Sequence, residues 1–444
     1  MKDLTKGNST KLIIEFTIPV LIGNILQLLY SLIDTRIVGE NLGNMSLAAV
    51  GATNPVNTLI VGFLLGLTNG FAIQVSRSFG AGNKDELRKS VAGTIKLGLI
   101  VSIILTIVSL VFLKPLLIAL NTKEELLEES YAYISIIFAG MTASMLYNVC
   151  ASILRAIGDT ITPLVFLGMS TLLNIVGDLF FIKVVKLGVR GAAIATVIAQ
   201  VISFVLCALY MWKKYEILRI KKSDFKVPQG MIKNMFKSGL SMGFMMSLVS
   251  LGTVALQGTI NTFSNNTIVA HTAARKITEL YMLLFGVLGT TMATFCSQNL
   301  GAGKVDRIKK ALKGTILVSF VWSIGMMILS YTVAPKLIYL VTATDEAEVI
   351  DIACKYLRID TLFYFFPAMI SIIRNSMQGI GDHITPIISS GIELVGKFLI
   401  ATLLAPKIGY MGIIVAEPIV WVLMVLPLIV QIIRNPLLKK AKKI

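Results

Sequence analysis

The stretch Ile157–Ile182, IGDTITPLVFLGMSTLLNIVGDLFFI, decides how the whole chain is read. It opens on a Gly-Asp turn, with Pro163 placed where the first turn of a helix needs no N–H. An apolar run follows that is long enough, as a helix, to cross roughly 30 Å of hydrocarbon. Inside that run stand Asn174 and Asp178, four residues apart, a spacing that stacks both on one helix face. A charge within a bilayer costs several kcal/mol, about 2.5–3.5 on insertion scales, and is retained with a partner or a task.

The remainder of the chain repeats this pattern. Its 444 residues are 55% hydrophobic and 15% charged, against about 25% charged in an ordinary soluble domain. The apolar residues fall in blocks of span length. Twelve spans are expected, near 12–35, 47–73, 90–113, 131–155, 161–183, 190–212, 238–263, 268–295, 312–333, 353–378, 385–405 and 411–433. The fold class is therefore an all-α integral membrane protein. A barrel would show segments of about ten residues with period-two alternation, which the sequence lacks.

The formal charge of +17 reads as topology, with no nucleic-acid partner, because the basic residues gather in particular loops. Lys84, Arg88 and Lys89 follow the second span. Eight Lys/Arg in 213–237 face only Glu216 and Asp224. Lys304, Arg307, Lys309, Lys310 and Lys313 follow the eighth, and the tail reads LLKKAKKI. The positive-inside bias puts these loops and both termini in the cytoplasm, at the plasma (inner) membrane. The opposite loops are acidic, with Glu124, Glu125, Glu128 and Glu129 in one and Asp345, Glu346, Glu348 and Asp351 in another. The N-terminus reads as the uncleaved start of the first span. Four separate cysteines with no CxxC pair suggest buried thiols, with neither a disulfide framework nor a zinc site.

The two halves repeat each other. Gly80-Ala81-Gly82 recurs as Gly301-Ala302-Gly303, an offset of 221, and Ile157–Pro163 recurs as Ile380–Pro386, an offset of 223. Gly188 and Gly191 recur as Gly409 and Gly412. Six spans per half give a parallel repeat about an axis along the membrane normal, a transporter pattern. The expected domains are 1–212 (spans 1–6), a basic inter-lobe linker 213–237, 238–433 (spans 7–12) and a basic tail 434–444.

The loops and spans together resemble the multidrug and toxic compound extrusion (MATE) family, on its prokaryotic DinF-like side. The matching pieces are Pro19, YSLIDTRIVG from Tyr30, QVSRSFGAGNKDELRK from Gln74, LRAIGDTITP from Leu154, LLNIVGD from Leu172 and QNLGAG from Gln298. They cover nearly the whole chain in order. The resemblance implies two pseudo-symmetric six-helix lobes around a central cavity, and export of organic cations driven by Na⁺ or H⁺, with no cofactor. It also implies a cation site in the N-terminal lobe at Asp34, Asn174, Asp178 and Thr196, with Gln27, Tyr30, Tyr133 and Asn148 nearby.

The residues alone point to the same group. Asp34 and Asp178 are the two deep carboxylates of the first half, and span direction puts Asp34, Asp178, Thr196 and Tyr133 at similar depth, about 33 Å up a helix that starts near residue 12. Their donor set is all oxygen, which suits a hard cation such as Na⁺, and the two carboxylates can equally share protons. Asn174 maps to Lys397 and Asp178 to Ala401 in the second half, so that half does not repeat the site. There Glu393 and Lys397 suggest an internal ion pair, and Glu279 and Asp360 are weaker candidates, with a charge-balancing network as the competing reading. Pro19 is a candidate bend in span 1.

Other signals are structural or rival readings. Gly62, Gly66 and Gly70 form a small-residue packing stripe, and Met242, Met245 and Met246 read as packing or an adaptable drug surface. Gly239-Leu-Ser-Met-Gly243 matches GxSxG but opens a membrane helix rather than a strand-to-helix turn. With only His271 and His383, no HExxH and no P-loop, the chain reads as a transporter, not an enzyme. A lipid or lipid-linked saccharide flippase would need several cavity cations, and the spans offer chiefly Lys397 and Arg358. A membrane receptor or scaffold is the third reading. The expected partners are small organic substrates and the bilayer, with the chain a monomer.

Overall fold

The computed structural model describes residues 2–120 and 122–440; the last four residues of the expected basic tail lie outside the described residues. The chain runs through α1 (Ser9–Ala52), α2 (Asn54–Gly80), α3 (Lys84–Ala119), α4 (Glu124–Ala139), α5 (Met141–Ala156), α6 (Ile161–Leu179) and α7 (Val189–Lys214). Two short 3₁₀ turns then lead to α8 (Gln229–Ile260), α9 (Asn265–Gly301), α10 (Val305–Thr332), α11 (Ala334–Thr342), α12 (Ala347–Leu362), α13 (Phe365–Ile380), α14 (Ile384–Leu399), α15 (Ala405–Ile408), α16 (Tyr410–Arg434) and α17 (Pro436–Lys440). Among the described residues ten helices are long and apolar enough to cross a membrane, and two bent pairs bring the number to twelve.

Three expectations need correction. Spans 4 and 10 are broken, with α4 and α5 meeting at 46° and α12 and α13 at 52°. Hydropathy is continuous through each break, so composition gave no sign of them. Span 1 does not end near residue 35. Instead the helix continues to Leu42, because the segment after Asp34 holds no Pro, then kinks at Gly43 (φ +85°), and a second helical stretch completes α1 to Ala52. The acidic residues 124–129 and 348–351 are not loops but lie in α4 and α12, with Glu124, Glu125 and Glu348 in the first turns. Carboxylates there complement the positive end of the helix dipole.

α6 shows why the chain belongs in lipid. Its buried face carries Thr162, Ser170, Asn174 and Asp178, while Leu172 and Val176 are each 66% exposed. α14 repeats the inversion, burying Ser389, Ser390, Glu393 and Lys397 and exposing Ile384, Ile388 and Val395. Both helices then widen into a π turn, Phe180–Val184 and Ile400–Leu404, a feature frequent near functional sites. The repeated turns behave as their glycines predict: Gly82 and Gly303 have φ +70° and +71°, and Gly158 and Gly381 have +82° and +98°.

The chain divides into two compact units, Met1–Leu4 with Ile18–Gly243, and Thr5–Thr17 with Phe244–Ile444. In the first, Leu67 and Phe71 of α2 pack with Ile134 and Phe138 of α4 and Met145 of α5. The glycine stripe of α2 meets the start of α8, where a Cβ on Gly66 would lie 2.5 Å from the Met242 carbonyl oxygen and one on Gly70 2.5 Å from Gly239 Cα. The GxSxG segment is the other side of that close contact. In the second unit, Leu256 and Ile260 of α8 pack with Ala401, Ala405, Ile413 and Ala416.

Candidate functional site

Four helices of the first unit converge on one polar nook. α1 contributes Tyr30 and Asp34, one turn apart; α6 contributes Asn174 and Asp178, one turn apart; α4 contributes Tyr133 and α7 Thr196. The α6–α7 contact is tight because Gly177 faces Ala195, whose Cβ would lie 2.9 Å from a Cβ on Gly177. That approach carries Asn174 onto Thr196.

The Asn174 amide orients the group. One end lies 3.0 Å from Thr196 Oγ1 and 3.1 Å from Thr196 N, and the other lies 2.9 Å from Asp178 Oδ2 and 3.2 Å from Tyr30 OH. A backbone N–H only donates and a carboxylate only accepts, so the amide oxygen faces Thr196 and the amide nitrogen donates to Asp178. The Tyr30 and Thr196 hydroxyls are 3.5 Å apart. The Asp34 and Asp178 carboxyl groups face each other within hydrogen-bonding reach, and Tyr133 lies close enough to feel both. Asp178 is fully buried and Asn174 is 2% exposed.

One oxygen of each carboxyl, Asp34 Oδ1 and Asp178 Oδ1, is buried without a hydrogen-bond partner. Two buried, unpartnered acidic oxygens on neighbouring carboxyls call for a cation or a shared proton, since an unmatched buried carboxylate is costly. An amide, two carboxyls and hydroxyls supply the hard oxygen donors that fit Na⁺. No group of three or more His, Cys, Asp or Glu suited to a transition metal occurs among the described residues.

Three predicted residues stand apart from this group. Gln27 is exposed on α1. Asn148 donates to its own helix at Ser144 O, 2.9 Å away. Pro19 lies in α1 beside the point, between Thr17 and Ile18, where the two compact units divide.

The second unit holds a charge cluster instead. Lys397 Nζ is 3.0 Å from Glu393 Oε1 and 3.4 Å from Glu417 Oε1. Arg275 holds both Glu417 oxygens at 2.8 and 2.9 Å. Arg374 lies 4.0 Å from Glu393 and donates to Ser390 at 3.0 Å. Asp360 is fully buried, and neither of its carboxyl oxygens has a hydrogen-bond partner by strict geometry. Glu279 is exposed at the edge. Sequence reasoning found the Glu393–Lys397 pair but missed Arg275, Arg374 and Glu417, and so counted too few cations. Arg374 and Glu417 are each a lone charge inside an apolar span, the same signal that singled out Asp178, whereas Arg275 stands beside Lys276.

The fold and these sites define a duplicated polytopic membrane protein of the transporter class. The MatE family model matches residues 19–180 and 241–404, once in each half, and the chain belongs to that family. It is thus a membrane transporter of the multidrug efflux class and not an enzyme. Relatives include the probable multidrug resistance protein YoeA of Bacillus subtilis, 26% identical over 91% of this chain and 89% of that one. The multidrug export protein MepA of Staphylococcus aureus is 23% identical over 92% and 90%. A solved MATE structure in the bent conformation is 25% identical with a TM-score of 0.91, covering 99% of this chain and 98% of that one.

Proposed function

We propose that the protein is a cation-coupled antiporter that exports organic cations and amphiphiles, with Asp34, Asn174, Asp178 and Thr196 holding the coupling ion, Na⁺ or H⁺. The observation that carries this reading is the pair of facing carboxyls on α1 and α6, each with a buried oxygen lacking a partner. The export name borne by MepA supports the direction of transport.

A cation entering the nook offsets the repulsion between Asp34 and Asp178 and draws α1 toward α6. Pro19 offers no N–H to the helix ladder and is the weak point at which α1 bends; a related structure is described in a bent conformation. Ion occupancy thereby selects one of two arrangements of α1, which is the coupling that alternating access requires. Inward movement of one cation is favoured by about 2.3 kcal/mol per 100 mV. The protein acts as a monomer in the plasma (inner) membrane, with both termini in the cytoplasm.

The test is dye export from proteoliposomes under an imposed sodium gradient and, separately, a pH gradient. Export driven by either gradient in the native protein, and by neither in well-folded Asp178→Asn, is the expected result. Gradient-driven export that survives in Asp178→Asn would remove the carboxyl pair from the mechanism.

A further inference from the structure

At the repeat position of the cation nook, the second unit has a cavity of about 260 Å³. We propose that this cavity is a binding site for a small amphiphilic organic anion, whose carboxylate takes the Arg275 guanidinium while Glu417 passes to Lys397. This goes beyond the coupling reading and does not depend on which ion drives export.

The repeat shows how the two corners differ. At the offset of 223, Asn174 corresponds to Lys397, Asp178 to Ala401 and Tyr133 to Tyr356; at 221, Thr196 corresponds to Glu417. The α8 segment that stands for α1 holds no acidic residue, so Asp34 has no acidic counterpart at any register. The Asn174–Thr196 contact of the first unit becomes the Lys397–Glu417 contact of 3.4 Å in the second. A corner built on two carboxyls is matched in the second unit by one in which two cations, Lys397 and Arg275, meet Glu417.

The ion pairs have unequal alternatives, and this decides the sign of the ligand. Glu417 has two cationic partners, Arg275 and Lys397. Arg275 has one directly bonded carboxylate. An incoming anion that displaces Glu417 leaves it paired with Lys397, so neither Glu417 nor Arg275 loses its countercharge. An incoming cation that displaces Arg275 strands a buried guanidinium, the costly outcome. Access agrees, since the Arg275 side chain is 22% exposed and Glu417 only 7%. The planar fork of Arg275 matches a carboxylate bidentately. Leu256, Ile260 and Ile413 give the cavity an apolar wall, with Tyr356 beside the guanidinium, while the exposed Lys276 and Glu279 that also line it offset each other in charge. The volume lies just below the range of drug-sized sites, about 300–1,000 Å³, so the ligand is small.

Naphthoate, naphthamide and naphthylmethylammonium share a shape and differ in charge. Their equilibrium binding to the purified full-length protein in detergent is read by naphthalene fluorescence. Naphthoate is expected to bind about tenfold tighter than the neutral naphthamide, while the ammonium, a cation of the kind proposed for export, reports on the transport path. Arg275→Gln should weaken naphthoate about tenfold and leave the ammonium unchanged. Glu417→Gln removes the internal competitor and should tighten naphthoate severalfold, an effect no structural role of Glu417 would produce. Asp178→Asn should leave naphthoate binding unaltered, which separates this site from the coupling nook. A naphthamide bound as tightly as naphthoate, or a folded Glu417→Gln that binds naphthoate no better, overturns the proposal. Should either cluster variant fail to fold, the order of naphthoate and naphthamide on the native protein decides alone.

Discussion

Asp178 is where the physical tension of the chain is most local. It is fully buried and takes one hydrogen bond from Asn174 on Oδ2, and its Oδ1 is buried without a partner. Asn at either acidic position keeps the volume but removes the charge that a cation would balance. Asp34→Asn and Asp178→Asn are therefore each expected to lower gradient-driven dye export at least about tenfold, with expression and melting temperature close to native. Thr196→Ala leaves the Asn174 amide oxygen only the Thr196 N–H and should cost a smaller factor in apparent ion affinity, read as a shift in the sodium or proton concentration giving half-maximal export. Sequence made both acids legible, because a lone charge in an apolar run is conspicuous. It did not make Arg275, Arg374 and Glu417 legible as a cluster, since they lie on different helices and only packing brings them within 4 Å of their partners.

The elements hold these side chains in register through close helix contacts. Gly177→Val should push α6 from α7, because even a Cβ would lie 2.9 Å from Ala195 Cβ. Overpacking of this kind costs roughly 1–3 kcal/mol, so the variant should melt lower and lose export although no polar group has changed. Gly66→Leu should be worse, since its obstacle is the Met242 backbone rather than a movable side chain; the check is the monodisperse yield in detergent. The repeated loop carries a pH signal. Asp159 is buried, which by itself raises its affinity for protons, but hydrogen bonds from Thr162 and Tyr215 outweigh burial and hold its carboxyl below the usual range. A depressed folded-state value means that this stabilisation is complete above the ordinary Asp range and is lost as pH falls through the folded-state value. The melting temperature of Asp159→Asn should therefore lie below native at pH 7, and the gap should close in acid. The bends at the α4–α5 and α12–α13 junctions were invisible beforehand because hydropathy records length and composition and carries nothing about direction.

At the scale of the molecule, the duplicated chain carries two different solutions to buried charge. The first unit gathers carboxyls, amide and hydroxyls; the second gathers three basic and three acidic side chains. A consequence for transport is that the two halves should not tolerate the same changes. Transplanting the second-half residue into the first, Asn174→Lys, places a cation between the acids and should block the coupling ion outright. Export driven by either gradient should vanish while the protein still folds, because the new ammonium pairs with Asp178. Retained export in that variant would show that the nook does not carry the driving ion.

By itself the sequence determined the membrane, the helices, the duplication and the two deep acids, because helix period and bilayer thickness act on neighbouring residues along the chain. Only the tertiary structure decided which charges meet, where spans bend and that the corner at Lys397 and Glu417 mirrors the one at Asn174 and Thr196. Those outcomes depend on how each helix is rotated against partners distant in sequence, and that rotation is set by side-chain packing, which local periodicity does not encode.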